Sequence, residues 1–133
     1  MDLAQFDLKE AANSGITVEL AHPVTGEILE DDKDKALVIK VLGKDSAKWN
    51  QTAKRIQDKN ANKYRNGKVP EAEVERSLRE ILAECTVSWS NIVYNEEVLK
   101  CSKENALMLY EKRSWIAEQV LEAAADRANY FLA

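Results

Sequence analysis

At 133 residues, with 45% hydrophobic and 32% charged side chains, the chain has the size and apolar content of one domain spanning 1–133, able to fold without disulfide or metal support. That balance excludes a disordered polymer, in which few apolar groups could offset chain entropy. The net charge of -4 conceals blocks: residues 1–35 hold nine acidic and three basic side chains, 44–68 hold two and eight, and 71–133 hold twelve and seven.

No apolar run approaches the ~20 residues that a membrane span needs, and Met1-Asp2 opens without the basic and apolar stretches of an export signal. A cytoplasmic protein with no membrane partner is therefore expected. In that compartment Cys85 and Cys101 are expected to be reduced.

An α+β fold is expected, with a short antiparallel β meander of two to three strands over about 1–43 and about four helices over about 45–133. Ile16, Val18 and Leu20 alternate with Thr17 and Glu19, the period of a half-buried strand. The alternation stops at His22-Pro23-Val24-Thr25-Gly26, where proline and glycine predict a turn, with Ile28-Leu29 as a short return strand. Beyond an acidic loop, the β-branched run from Ala36 to Leu42 predicts a more central strand ending at Gly43.

Helical signals begin at Asp45-Ser46, which can cap a polar, exposed helix carrying Trp49, Ala53, Ile56 and Tyr64 and ending near Asn66-Gly67. Pro70 suits a first helical position, and Glu71 and Glu73 suit a helix N-terminus. The stripe Val74, Leu78, Ile81, Leu82, Cys85, Trp89 predicts the main core helix. A loop is expected over 90–100. Ser102 can cap a third helix to about Arg113, and Ser114 a fourth from Trp115 to about Leu132.

That last helix is apolar on two sides, one carrying Ile116, Val120, Ala123, Ala124 and Phe131, the other Ala117, Leu121, Ala125, Ala128 and Leu132. Such a helix either lies between layers or meets a partner. Trp115, Leu121, Tyr130 and Phe131 are the candidates for partner contact. Lys54, Arg55 and Lys59, in the basic block, are candidates for steering contact between copies.

Catalytic chemistry finds little support in the residue types. The single histidine, His22, sits in a turn before Pro23, far from the arrangement a nucleophile–base pair needs. Two cysteines and one histidine cannot close a zinc site of those ligands alone. The cluster Glu30-Asp31-Asp32-Lys33-Asp34 lacks the glycine and the terminal glutamate of a calcium loop. Four scattered glycines make no phosphate loop. No catalytic residue, metal or cofactor is expected. An alternative function, nucleic-acid binding through residues 44–68, rests on eight bases, but on a helix they fall on all sides and only Trp49 and Tyr64 could stack.

Several segments in order carry a family resemblance: Leu20-Ala21-His22-Pro23-Val24-Thr25-Gly26-Glu27, Leu42-Gly43-Lys44-Asp45-Ser46, Cys85-Thr86-Val87-Ser88-Trp89, Ser102-Lys103-Glu104-Asn105-Ala106 with Leu109-Tyr110, and Trp115-Ile116 with Gln119-Val120. Together they resemble the tail assembly chaperones of long-tailed (siphovirus-type), non-contractile-tail phages and prophages. Ser88 stands where the family has glycine before the tryptophan, and Cys101 where an aromatic residue is usual. The resemblance implies a non-enzymatic virion-assembly protein of the host cytoplasm, absent from the mature virion. It implies self-association into a homo-oligomer, coating of the tape measure protein, recruitment of tail tube protein, and association with a longer frameshifted form of which this chain would be the shorter counterpart. No nucleic-acid partner is implied.

Overall fold

The computed structural model describes residues 2–3 and 7–130. The fold is α+β, as expected. Its three-stranded antiparallel sheet has the order β1 (Ile16–Glu19), β2 (Val38–Val41), β3 (Thr86–Ser90), so the Ala36–Leu42 run does supply the central strand. Ile16 pairs with Val41 and Val18 with Ile39, and all four side chains are buried beneath the helices. Thr17, Glu19 and Lys40 alternate to the solvent face, as the period of two dictates.

The turn after β1 forms where proline and glycine place it. The His22 Nδ1 accepts hydrogen bonds from the backbone N–H of Val24 and Thr25 at 3.1 and 3.2 Å, and Gly26 takes a φ of 76° that suits glycine. The return at Ile28 is a single bridge to Ala21 rather than a strand. The reason lies in the next hydrogen bonds. Leu29 N–H donates to Leu20 C=O, Leu37 N–H to Leu29 C=O and Leu20 N–H to Leu37 C=O, so three segments meet at one point instead of running side by side.

Ser46 and Ser102 cap helices as expected. Their hydroxyls accept from Trp49 N–H at 3.2 Å and Asn105 N–H at 3.1 Å, opening α2 (Ala47–Lys63) and α4 (Lys103–Lys112). A short helix, α1 (Leu8–Asn13), has no counterpart among the expected elements; Asp7 caps it by accepting from Glu10 N–H at 3.0 Å.

The largest departure follows α3 (Glu71–Cys85). The stripe from Val74 predicts a helix running through Trp89, but the helix stops at Cys85 and residues 86–90 become β3. Thr86 takes extended dihedrals, and its hydroxyl is held between Leu82 C=O and the Tyr110 hydroxyl, 2.7 Å from each. The β-branched pair Thr86-Val87 then favours pairing with β2 over another helical turn. Trp89 lies opposite Ile39 and donates its indole N–H to Leu99 C=O at 2.7 Å. The expected 90–100 loop contains a hairpin, β4 (Val93–Tyr94) and β5 (Glu97–Val98), whose turn residues Asn95 and Glu96 both have positive φ.

The last helix is shorter than expected. In α5 (Ser114–Ala125), Ser114 is the first helical residue rather than the cap, and the helix stops before Asp126, which turns extended. Asp126 then caps a 3₁₀ turn, Arg127–Asn129, by accepting from Ala128 N–H at 3.0 Å. Phe131 and Leu132, the last members of the two stripes, lie outside the described residues.

The two-sided apolar character of α5 finds its partners inside this chain. The helix packs on β1 and β2, α4 and α3, and it buries Ile116, Ala117, Val120 and Ala124. Gln119 joins it to the start of the turn. Its side-chain amide accepts from Ala21 N–H at 2.9 Å and donates to Ala21 C=O at 2.8 Å, replacing the neighbouring strand that Ala21 lacks on that side. Gln119→Ala leaves both backbone groups without their partner in a half-buried place. We expect it to cost about 1–3 kcal/mol in denaturant melts. A loss under about 0.5 kcal/mol would mean that water replaces the amide without penalty.

Candidate functional site

The helices α2 and α3 are only half used by the core. In α2 the buried positions are Trp49, Thr52 and Ile56, and none follows; in α3 they begin at Ile81. The distal half of α2 and the facing half of α3 therefore form an arm held mainly by its own contacts, joined through the turn that contains Gly67 and Pro70. Asn60 donates to the Ser77 hydroxyl across it at 3.2 Å.

Between these helices lies an open cavity of about 420 Å³. Ala53, Ile56 and Ala61 line it from α2, and Val74, Leu78 and Ile81 from α3; no charged side chain is among its lining residues. The two alanines hollow out the α2 wall, and Val74 is 54% exposed. Two helical walls with an uncovered apolar floor are the shape that accepts an amphipathic helix or a short apolar segment.

Along the α2 side of this arm the charge is basic, whereas the α3 side carries Glu71, Glu73, Glu75 and Glu80 against Arg76 and Arg79. Among the described residues Lys48, Lys54, Lys59, Arg65 and Lys68 make no ion pair. Lys63 lies over the ring of Tyr64, 5.3 Å from its centroid. Arg55 is partly committed, reaching Glu84 on α3 at 3.4 Å, while Lys103 on α4 meets the same carboxylate oxygen at 2.5 Å. The Lys103 hydrogen bond holds the Glu84 carboxyl below its ordinary range, with the nearby positive charges adding to the effect against partial burial. Of the three bases named for contact between copies, Lys54 and Lys59 are thus exposed and unpaired, and Arg55 links α2 to α3.

The aromatic candidates do not form one surface. Trp115 is half-buried and lines a separate cavity of about 240 Å³ with Leu20, Leu37, Ile92 and Tyr94, where the Arg113 guanidinium lies 5.7 Å from the Tyr94 ring centroid. Leu121 is half-buried beside Leu78 and Leu82 of α3. Tyr130 packs at the corner between β2 and α2, where a Cβ at Gly43 would come within 2.9 Å of both its ring and Ala12 Cβ. All three rest against the core. Trp115 and Leu121 lie on different packed sides of α5, and Tyr130 lies beyond its end.

The corner beneath Tyr130 is tied by one carboxylate. Arg127 donates to Asp45 through Nε at 2.8 Å and Nη2 at 3.0 Å, and the Tyr130 hydroxyl donates to the same group. The Arg127 hydrogen bonds, with the Tyr130 hydroxyl adding to them against partial burial, bring the Asp45 carboxyl from 3.8 down to about 2. Because the folded-state value is depressed, this stabilisation is complete above the ordinary carboxylate range and is lost as pH falls toward about 2. We expect Asp45→Asn to be less stable than the parent near neutral pH, with the difference closing between pH 4 and 2. A difference in melting temperature that stays constant across that window would place the effect in packing instead.

Cys85 and Cys101 are free thiols; burial pushes Cys85 up to about 11 and also raises Cys101. Among the described residues no group of three or more histidine, cysteine, aspartate or glutamate side chains is placed to hold a metal ion, and no helix is long and apolar enough to cross a membrane. The groove was not among the sequence candidates. Its only trace in the sequence is the pairing of small Ala53 and Ala61 with an α3 stripe whose first members, Val74 and Leu78, precede the buried part.

Comparison with protein-family models, curated protein sequences and solved structures finds no match to this chain.

Proposed function

We propose that the protein is a phage tail assembly chaperone that binds apolar helical segments of the tape measure protein in the groove between α2 and α3. The carrying observation is that uncharged, open groove on an arm the core only half employs. The ordered segments that resemble those of the tail assembly chaperones support the tape measure protein as the client.

A client helix lays its apolar positions at i, i+3 and i+4 along the floor made by Val74, Leu78 and Ile81, gaining roughly 25 cal/mol for each Å² of apolar surface removed from water. One such contact is weak, because association consumes much of the gain in lost freedom. Many copies along one long client make the coat tight yet reversible. Tail tube protein then displaces the copies as the tube grows, and the chaperone stays in the host cytoplasm, outside the finished virion. A longer frameshifted form would join the same assembly through the shared domain. The role is non-enzymatic and needs no cofactor.

The proposal is tested by co-expressing the tape measure protein with the parent chain and with Ala61→Asp/Val74→Asp. Both positions are exposed, so the double variant should fold normally by circular dichroism. The parent should co-purify with the client and keep it soluble, and the folded variant should do neither. Equal client recovery with both would reject the groove. The nucleic-acid reading is less supported, since the groove is uncharged and Arg55 is engaged with Glu84. Steeply salt-dependent DNA or RNA binding without client binding would favour it instead.

A further inference from the structure

The turn between β1 and β2 presents two apolar side chains to solvent: Val24 at its tip, 86% exposed, and Ile28, 45% exposed. They stand in an acidic setting, since residues 27–35 hold Glu27, Glu30, Asp31, Asp32 and Asp34 against Lys33 and Lys35. The α2 wall of the groove has the opposite character, since it belongs to the block 44–68 that holds eight basic and two acidic side chains. The groove lining itself is uncharged, and the acidic Glu71, Glu73, Glu75 and Glu80 of the arm belong to α3. The turn does not reach the groove of its own chain. His22, Pro23 and Gly26 border Gln119 and Ala123 of α5, and no residue of the turn is among those lining the groove.

We infer that the occupant of the α2–α3 groove in the free protein is the Val24–Ile28 turn of a second copy, so that copies join head to tail. Val24 and Ile28 supply the apolar insertion, and the carboxylates that follow them meet the unpaired lysines of α2. Opposite charge speeds the encounter and fixes the direction of docking, while the apolar contact holds it. The surfaces differ on the two partners, so the contact is heterologous and its repetition gives a ring or an open chain rather than a closed pair. It does not depend on the identity of the client. If the client reading also holds, self-contact and client compete for one groove, and the free chaperone shields its own apolar site until a client displaces the neighbour.

The test uses two folded variants of the full chain, each damaged on one side of the contact. Val24→Asp/Ile28→Asp removes the insertion, and Ala61→Glu/Val74→Glu blocks the groove. Sedimentation velocity should show concentration-dependent assembly of the parent that weakens as salt rises, and monomers for each variant alone. An equimolar mixture should give a dimer and nothing larger, because it holds one intact groove facing one intact turn. A monomeric parent, a variant that assembles like the parent, or a mixture that stays monomeric would each overturn the inference; the last would indicate a symmetric contact. The client reading is scored separately, because Val24→Asp/Ile28→Asp should still co-purify with the tape measure protein. Loss of the client with the mixing result intact would reject that reading alone.

Discussion

Trp49→Ala should destabilise the fold by about 3–5 kcal/mol, the range for truncating a buried large aromatic. Trp49 is 5% exposed and lies one turn into α2, directly after a cap whose Ser46 is fully buried. It anchors the only part of α2 that reaches the core, together with Thr52 and Ile56. The distal arm has no comparable anchor, so loss of the indole should loosen the arm as well as leave a cavity. Urea melts with unchanged slope and a lower midpoint check this. A loss below about 1 kcal/mol would mean that the helix is held chiefly by the arm.

The second large effect is expected at Trp89. The residue is half-buried on β3 between Ile39 and the strand hairpin, and its indole N–H satisfies the Leu99 carbonyl. Trp89→Ala should cost about 3 kcal/mol, combining lost burial with an unpaired carbonyl. Trp89→Phe keeps most of the ring and loses only the hydrogen bond, and should cost about 1 kcal/mol. Equal losses for the two variants would assign the whole effect to the Leu99 contact.

Where local physics alone decides, residue patterns and structure agree. The alternation in Ile16–Leu20, the turn at His22–Gly26, and the serine caps at Ser46 and Ser102 need nothing beyond neighbouring residues, and all appear in place. The disagreements arise where distant segments compete. The spacing Val74 to Trp89 is helical, and only β2, far away in sequence, turns Thr86–Ser90 into a strand. Likewise α5 is apolar on two sides because the sheet, α3 and α4 all pack on it, a fact of topology that periodicity cannot distinguish from a partner surface. The groove was hidden for the converse reason. Val74 and Leu78 read as core because their spacing matches Ile81 and Leu82, but the arm extends past the layer that would have covered Val74, and Leu78 is covered only in part, beside Leu121.

Hydrogen exchange tests the groove most directly. The Val24→Asp/Ile28→Asp variant, free of any neighbour in its groove, is followed with and without a helical peptide from the tape measure protein. The backbone amides of residues 57–63 and 71–78, which lie outside the buried part of their helices, should exchange faster than those of 81–85 in the free protein and slow markedly when the peptide binds. Binding that leaves these amides unchanged and protects residues 91–98 and 113–116 instead would move the client to the Trp115 cavity and contradict the account.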